Sequence, residues 1–175
     1  MSLARVRKLD VIGTRELAGL VAVLIDCVAG GSSVGFMWPM TREKAEAFWR
    51  GVATSLARGE RAVIVAEDER GEIMGTAQAV WAGPENQPHR ADIAKMLVHP
   101  RARRHGVGAL VLDAAERAAR EAGKTLLVLD TASAEAERLY ERGGWQRVGV
   151  VPRFALMPDG APCATVFYYK DLAVH

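Results

Sequence analysis

Apolar and polar positions follow two rhythms along the chain, and the switches between them mark the elements. Leu17, Leu20, Val21, Leu24 and Val28 share one helical face after Thr14, a side chain suited to capping, and Gly30-Gly31 stop the run. A second helix is predicted after Thr41, with Ala45, Phe48, Trp49, Val52 and Leu56 at helical spacing. The period then shortens to that of strands. Residues 61–67 and 72–81 flank Asp68-Glu69-Arg70-Gly71, which reads as a hairpin turn, and residues 90–98 add a third strand. The clearest helical stripe follows: Val107, Leu110, Val111, Ala114, Ala115, Ala118 and Ala122, with Gly123 as its stop. Residues 125–130 read as a buried strand and 134–142 as a short helix halted by Gly143-Gly144. Residues 146–157 and 163–170 form a hairpin around Pro158-Asp159-Gly160, and the weakly alternating residues 4–9 supply a first strand. Strand, two helices, three strands, helix, strand, helix and two strands predict an α+β fold, a mixed sheet with helices on its faces.

Composition narrows the class. A chain of 175 residues, 50% apolar and 25% charged, suits one globular domain over residues 1–175 and excludes disorder, coiled coil and collagen. Two cysteines are too few for a disulfide framework or a four-ligand zinc site, so no metal is expected. With 23 basic residues set against 21 acidic ones, the balance speaks against a dedicated nucleic-acid binder. The longest uncharged apolar run, residues 17–25, falls well short of the ~20 residues of a membrane span, and residues 1–9 lack the apolar core of a signal peptide. A cytoplasmic protein without a membrane partner is the expectation.

The chemistry gathers at Arg103-Arg104-His105-Gly106-Val107-Gly108, between a strand end and a helix start. Glycine there lets backbone N–H groups approach a phosphate, and the helix N-terminus adds unpaired donors and a favourable dipole. The plainer reading is a glycine-rich turn with solvated arginines. Two other phosphate loops are excluded. No Gly-Lys followed by Ser or Thr is present, and Val111 stands where a dinucleotide fingerprint needs its third glycine.

That run resembles the Gln/Arg-x-x-Gly-x-Gly/Ala motif of the GNAT acetyltransferase superfamily, and Ala136-x-x-Leu139-Tyr140-Glu141-x-x-Gly144-Trp145 resembles its second motif. Within that superfamily the chain looks most like the tabtoxin-resistance type. The similar stretches are residues 30–37, Arg90-Ala91-Asp92, Lys95-Met96-Leu97-Val98, Leu129-Asp130-Thr131 and Pro158-Asp159-Gly160, and the likeness spans roughly residues 4–172. The resemblance implies a mostly antiparallel mixed sheet of about seven strands, splayed between the fourth and fifth and flanked by about four helices.

It also implies acetyl-CoA as acetyl donor, lying where strands 90–98 and 125–130 part. Met96, Leu97 and Val98 would line the pantetheine arm, Met96 and Val98 through backbone groups. Arg103, Arg104, His105, Gly106, Val107, Gly108 and Ala109 would hold the pyrophosphate, and Ser133, where the family often has Asn, would reach the cofactor by its hydroxyl. The side chains of Met96 and Leu97 read as plain core. Tyr140 matches the family tyrosine beside the thioester sulfur, where a phenol of pKa near ~10 can donate to a departing thiolate. Its bland reading is a half-buried helix tyrosine packed on the sheet. The base that takes the ammonium proton is Asp92 or Asp130; the alternatives are a solvated edge charge and a helix cap.

The implied reaction is transfer of acetyl to a primary amine of a small molecule by direct attack in a ternary complex. Neither cysteine lies in an activating motif, and Cys163 reads as a small buried hydrophobe. The bulky residues 34–38 either cover a compact acceptor pocket or close the core between two helices. Protein or peptide amines as acceptors, and a non-catalytic acyl-CoA-binding module, are the rival readings; the family also allows a homodimer.

Overall fold

A computed structural model describes residues 4–173 of the chain. Its elements are β1 (Arg5–Lys8), α1 (Thr14–Ala29), α2 (Arg42–Ala57), β2 (Arg61–Glu67), β3 (Ile73–Trp81), β4 (Arg90–Val98), α3 (Val107–Glu121), β5 (Leu126–Thr131), α4 (Ala134–Arg142), β6 (Gln146–Leu156) and β7 (Pro162–Asp171), with a 3-10 turn at Pro100–Ala102. The seven strands make one sheet in the order β1-β2-β3-β4-β5-β7-β6. All neighbours are antiparallel except β4 and β5.

Both faces of the first four strands are covered, which explains the unbroken apolar run Val63-Ile64-Val65 in β2. Ile64, Ala77, Ala79, Ala91 and Ile93 meet Val107, Val111, Ala115 and Ala119 of α3 on one face. Val63, Val65 and Leu97 meet Leu20, Leu24, Trp49 and Val52 of α1 and α2 on the other. α3 sits very close to β3: a Cβ on Gly75 would lie 2.6 Å from Val107 Cγ1, so glycine is needed for that contact. The stripe of α3 differs from the sequence expectation at two places. Leu110 and Ala122 are exposed, while Leu112 and Ala119 are buried, because the helix also packs toward β7 and the α4–β6 turn.

Helix ends follow local chemistry. Thr41 caps α2, its Oγ1 accepting from Lys44 N at 3.3 Å. For α1 the cap is Gly13 rather than Thr14, which begins the helix without a side-chain cap bond. A buried cluster ties α3, β7 and the turn after α4: Trp145 Nε1 donates to Glu116 Oε1 at 2.8 Å, and Lys170 Nζ donates to Glu116 Oε2 at 2.5 Å and to Gly143 O at 2.8 Å.

Candidate active site

β4 and β5 run in register only at Arg90–Leu126, Ala91–Leu127 and Asp92–Val128. Beyond these pairs the strands part. A bulge at the same point reinforces the parting: Gln78 of β3 faces Ala94 and Thr76 faces Leu97, so Lys95 and Met96 together oppose Ala77. Lys95 takes the left-handed conformation, φ +49°. The β5-facing backbone groups of β4 beyond Asp92 are thereby left without strand partners, a docking edge for an extended amide chain.

The mouth of this cleft is the turn before α3. Arg104 (φ +63°) and Gly106 (φ +79°) both adopt left-handed backbone, which turns successive N–H groups toward one concavity. The N–H groups of the first helical turn, Val107, Gly108 and Ala109, have no intrahelical acceptor and point the same way. A Cβ on Gly106 would meet nothing within 4 Å, so its glycine serves conformation. At Gly108 a Cβ would lie 3.3 Å from Leu139 Cδ2 and 3.6 Å from Val98 Cγ2, so its small size also serves the approach of α4, which the sequence did not announce. The Arg103 side chain is engaged within the fold. Its Nε donates to Val98 O at 3.4 Å and its Nη2 to Ser32 Oγ at 3.3 Å, joining the cradle to the α1–α2 connection. Arg104 and His105 are exposed at the rim.

Met96 and Val98 pack partly against the α3 side, and Leu97 is buried against α1 and α2. The Leu97 side chain is core, as the plain reading has it, and that of Met96 is partly so. Ser133 caps α4, its Oγ accepting from Ala136 N at 3.3 Å, which commits the oxygen locally and leaves the hydroxyl proton free to donate.

Asp130 sits at the open end of β5, its Oδ2 accepting from Thr165 Oγ1 of β7 at 2.7 Å. It acts electrostatically on two other groups, Tyr140 and Lys95. Tyr140 is buried beside Trp145 and Tyr168, each ring 5.9 Å away. Burial first, and the Asp130 charge second, push its phenol well above the ordinary value. Tyr168 is held in turn by Glu137 and Glu141, which accept from its hydroxyl at 2.9 and 3.1 Å. Asp92 lies at the closed end, level with Val128, and its Oδ1 accepts from Arg90 Nη1 at 2.5 Å. Asp130 thus lies near enough to Tyr140 and to Lys95 for its charge to act on each, whereas Asp92 is tied to Arg90.

The α1–α2 connection, residues 30–41, runs between the β4 bulge and the β6–β7 turn. Phe36 packs edge-on against Phe48, centroids 5.3 Å apart, as the core-closing reading has it, while Met37 and Trp38 face solvent. Trp38 N donates to Pro158 O of the β6–β7 turn at 2.9 Å, and Trp38 Nε1 to Val28 O at 2.7 Å. Ser33 Oγ lies 3.6 Å from Cys163 Sγ. Cys163 is only partly buried, unlike the expectation; the fully buried thiol is Cys27.

Lys95 and Thr165 escaped the sequence reading. A lone lysine inside the apolar run Ile93-Ala94-Lys95-Met96-Leu97-Val98 was the available signal for the first; a threonine within a strand offers none.

Residues 20–145 match the model of the Acetyltransferase (GNAT) family. The chain belongs to that family. It is 35% identical over 127 residues, 71% of this chain and 73% of the relative, to an uncharacterised N-acetyltransferase of the hisH–hisA intergenic region of Azospirillum brasilense. Among solved structures it resembles a phosphinothricin acetyltransferase of Sinorhizobium meliloti in complex with acetyl-CoA (TM-score 0.81, 18% identity, 97% of this chain and 88% of that one). It also resembles a ribosomal-protein-alanine N-acetyltransferase of Brucella melitensis (TM-score 0.79, 23% identity, 96% and 99%). The splayed strands, the left-handed cradle and the free helix N-terminus suit the extended pantetheine arm and the pyrophosphate of acetyl-CoA. The protein is an acetyl-CoA-dependent N-acetyltransferase. No helix among the described residues is long and apolar enough to cross a membrane.

Proposed function

We propose that the acceptor is the primary amine of a small molecule, acetylated by direct attack in a ternary complex. One observation carries this reading: the α1–α2 connection crosses the acceptor side and is fastened to β4 at Val34 and to the β6–β7 turn at Trp38. Such a strap favours a compact acceptor over a peptide threading an open groove. The fold alone does not choose, since the solved relatives include enzymes named for a small amine and for a protein alanine. The narrower likeness to the tabtoxin-resistance type is consistent with the same choice.

In this reading the cradle of residues 103–109 holds the pyrophosphate, the free edge of Met96–Val98 receives the pantetheine amides, and the Ser133 hydroxyl donates to the cofactor. Acetyl-CoA supplies an activated acyl group and a thiolate leaving group. Asp130 takes the ammonium proton, because it stands at the open end facing the cleft with Tyr140. Asp92 then serves as an anchor for Arg90 and, two residues nearer the apex, as the weaker claimant to the base. Tyr140 donates a hydrogen bond to the departing sulfur. A phenol whose pKa is raised by burial surrenders its proton reluctantly, so partial donation suits it better than full transfer. A homodimer belongs to the same reading: the edge strand β6 exposes Val148, Val150, Val151, Phe154 and Leu156.

Thiol release with acetyl-CoA, measured over a panel of small primary amines and over peptides with free N-termini or lysines, tests the choice. Turnover with peptides and none with small amines would refute it.

A further inference from the structure

Lys95 occupies an improbable place for a lysine. Its backbone is left-handed at φ +49°, a conformation that side chains disfavour. Its ammonium is turned inward instead of into solvent, where burial favours the neutral form. Both costs persist only where the surroundings over-determine them. The surroundings are specific: Nζ donates to Val34 O at 2.8 Å and lies 5.6 Å from the Phe36 ring and 5.4 Å from the Phe48 ring. Gly35, at φ +89°, is the residue between these two contacts, and a Cβ there would stand 3.3 Å from Nζ. Across the cleft, the Asp130 charge favours the ammonium. One side chain, rooted in the bulge that opens the sheet, therefore holds the middle of the α1–α2 connection.

We propose that Lys95 is the specificity-determining positioning residue of the acceptor side: by pinning residues 34–36 over the splay it keeps the pocket closed to peptides and shaped for small amines. This rests on the small-amine reading above. Lys95 acts through the connection, and it neither touches the thioester nor moves the proton.

The test compares wild type, Lys95→Arg and Lys95→Met. Steady-state kinetics are run with a small primary amine and with a peptide amine, acetyl-CoA affinity is read by calorimetry, and chymotrypsin cleavage after Phe36 is followed by mass spectrometry. Loss of a charged donor and two ring contacts should raise the small-amine KM about tenfold or more in Lys95→Met. The preference for the small amine over the peptide should narrow, cleavage should accelerate, and acetyl-CoA affinity should stay within about twofold, as the cradle is untouched. Lys95→Arg, which keeps the charge on a wider head, should fall between the two. Wild-type KM values with wild-type cleavage in Lys95→Met would overturn the proposal. So would equal losses for amine, peptide and cofactor with a lowered Tm, the mark of a residue that only supports the core. Should Lys95→Met not fold, Lys95→Arg with unchanged selectivity and cleavage overturns it alone. If wild type acetylates peptides only, the small-amine reading fails; faster cleavage in Lys95→Met would then keep the fastening and overturn the selectivity assigned to it.

Discussion

Tyr140→Phe removes one oxygen from a site otherwise packed by Trp145 and Tyr168, and the size of its effect follows from what that oxygen touches. The phenol shift has two causes, burial and the Asp130 charge, and no hydrogen bond contributes to it. The folded protein therefore loses no internal hydrogen bond, and the ring, 3% exposed, keeps its contacts. Stability should change by less than about 1 kcal/mol, visible as a Tm shift of a few degrees at most. The reaction is different. A hydrogen bond to a charged group is worth about 1.5–3 kcal/mol, so a bond made to the developing thiolate implies a loss of roughly 10- to 150-fold in rate. Because that bond forms as charge appears on sulfur, kcat and kcat/KM should fall together while the acetyl-CoA dissociation constant holds. The assay is thiol release at saturating amine, paired with calorimetric titration of the cofactor. Wild-type turnover with intact cofactor binding would refute the reasoning and leave Tyr140 as a packing residue.

Three further outcomes are expected. Gly106→Ala, forced to φ +79° with open space for its Cβ, should weaken acetyl-CoA binding by about 1–2 kcal/mol through backbone strain, whereas Gly108→Ala should cost stability through Leu139; calorimetry and thermal melting separate the two. Asp130→Asn should lower kcat/KM most at low pH, where the amine is protonated, and recover as pH rises, whereas Asp92→Asn should show a smaller, pH-independent loss; the reverse pattern in pH–rate profiles would move the base to Asp92. In an ultraviolet titration of the folded protein, Tyr140→Phe should leave the phenolate signal near pH 10 unchanged, because burial holds this phenol protonated beyond its ordinary value. The unfolded chain ionises there and the folded one does not, so this residue's contribution to stability is complete below that pH and declines above it.

Much of the fold was legible because it is local. The stripe of α3, the Thr41 cap and the two hairpin turns each depend on residues within a few positions of one another. The left-handed turn before α3, proposed above to cradle the pyrophosphate, was legible for the same reason, being one continuous stretch of chain. What escaped depends on distant partners. Nothing near Gly108 announces Leu139, nothing near Arg103 announces Ser32, and Thr165 meets Asp130 only because β7 inserts between β5 and β6. Periodicity also misplaced Leu110, since α3 meets both the sheet and the α4–β6 turn and its buried arc turns accordingly. That Asp92 is level with the last β4–β5 pair and Asp130 lies beyond it was hidden from the sequence, because it turns on where two strands part, a property of the pair.

The three residue pairs that join β4 to β5 make the sheet a pair of jaws. One jaw carries β1–β4 with α1–α3 and the other β5–β7 with α4, and the polypeptide passes between them once, over residues 122–125. Ala91 and Leu127, both at 0% exposure, form the pivot, so any rotation there must deform close-packed core. Away from the pivot the two halves are joined again, by Trp145 and Lys170 on Glu116 and by Trp38 N on Pro158 O, and Asp130 lies two residues beyond the last pair. The opening between these ties follows from a single architectural choice, the length over which two strands agree to pair.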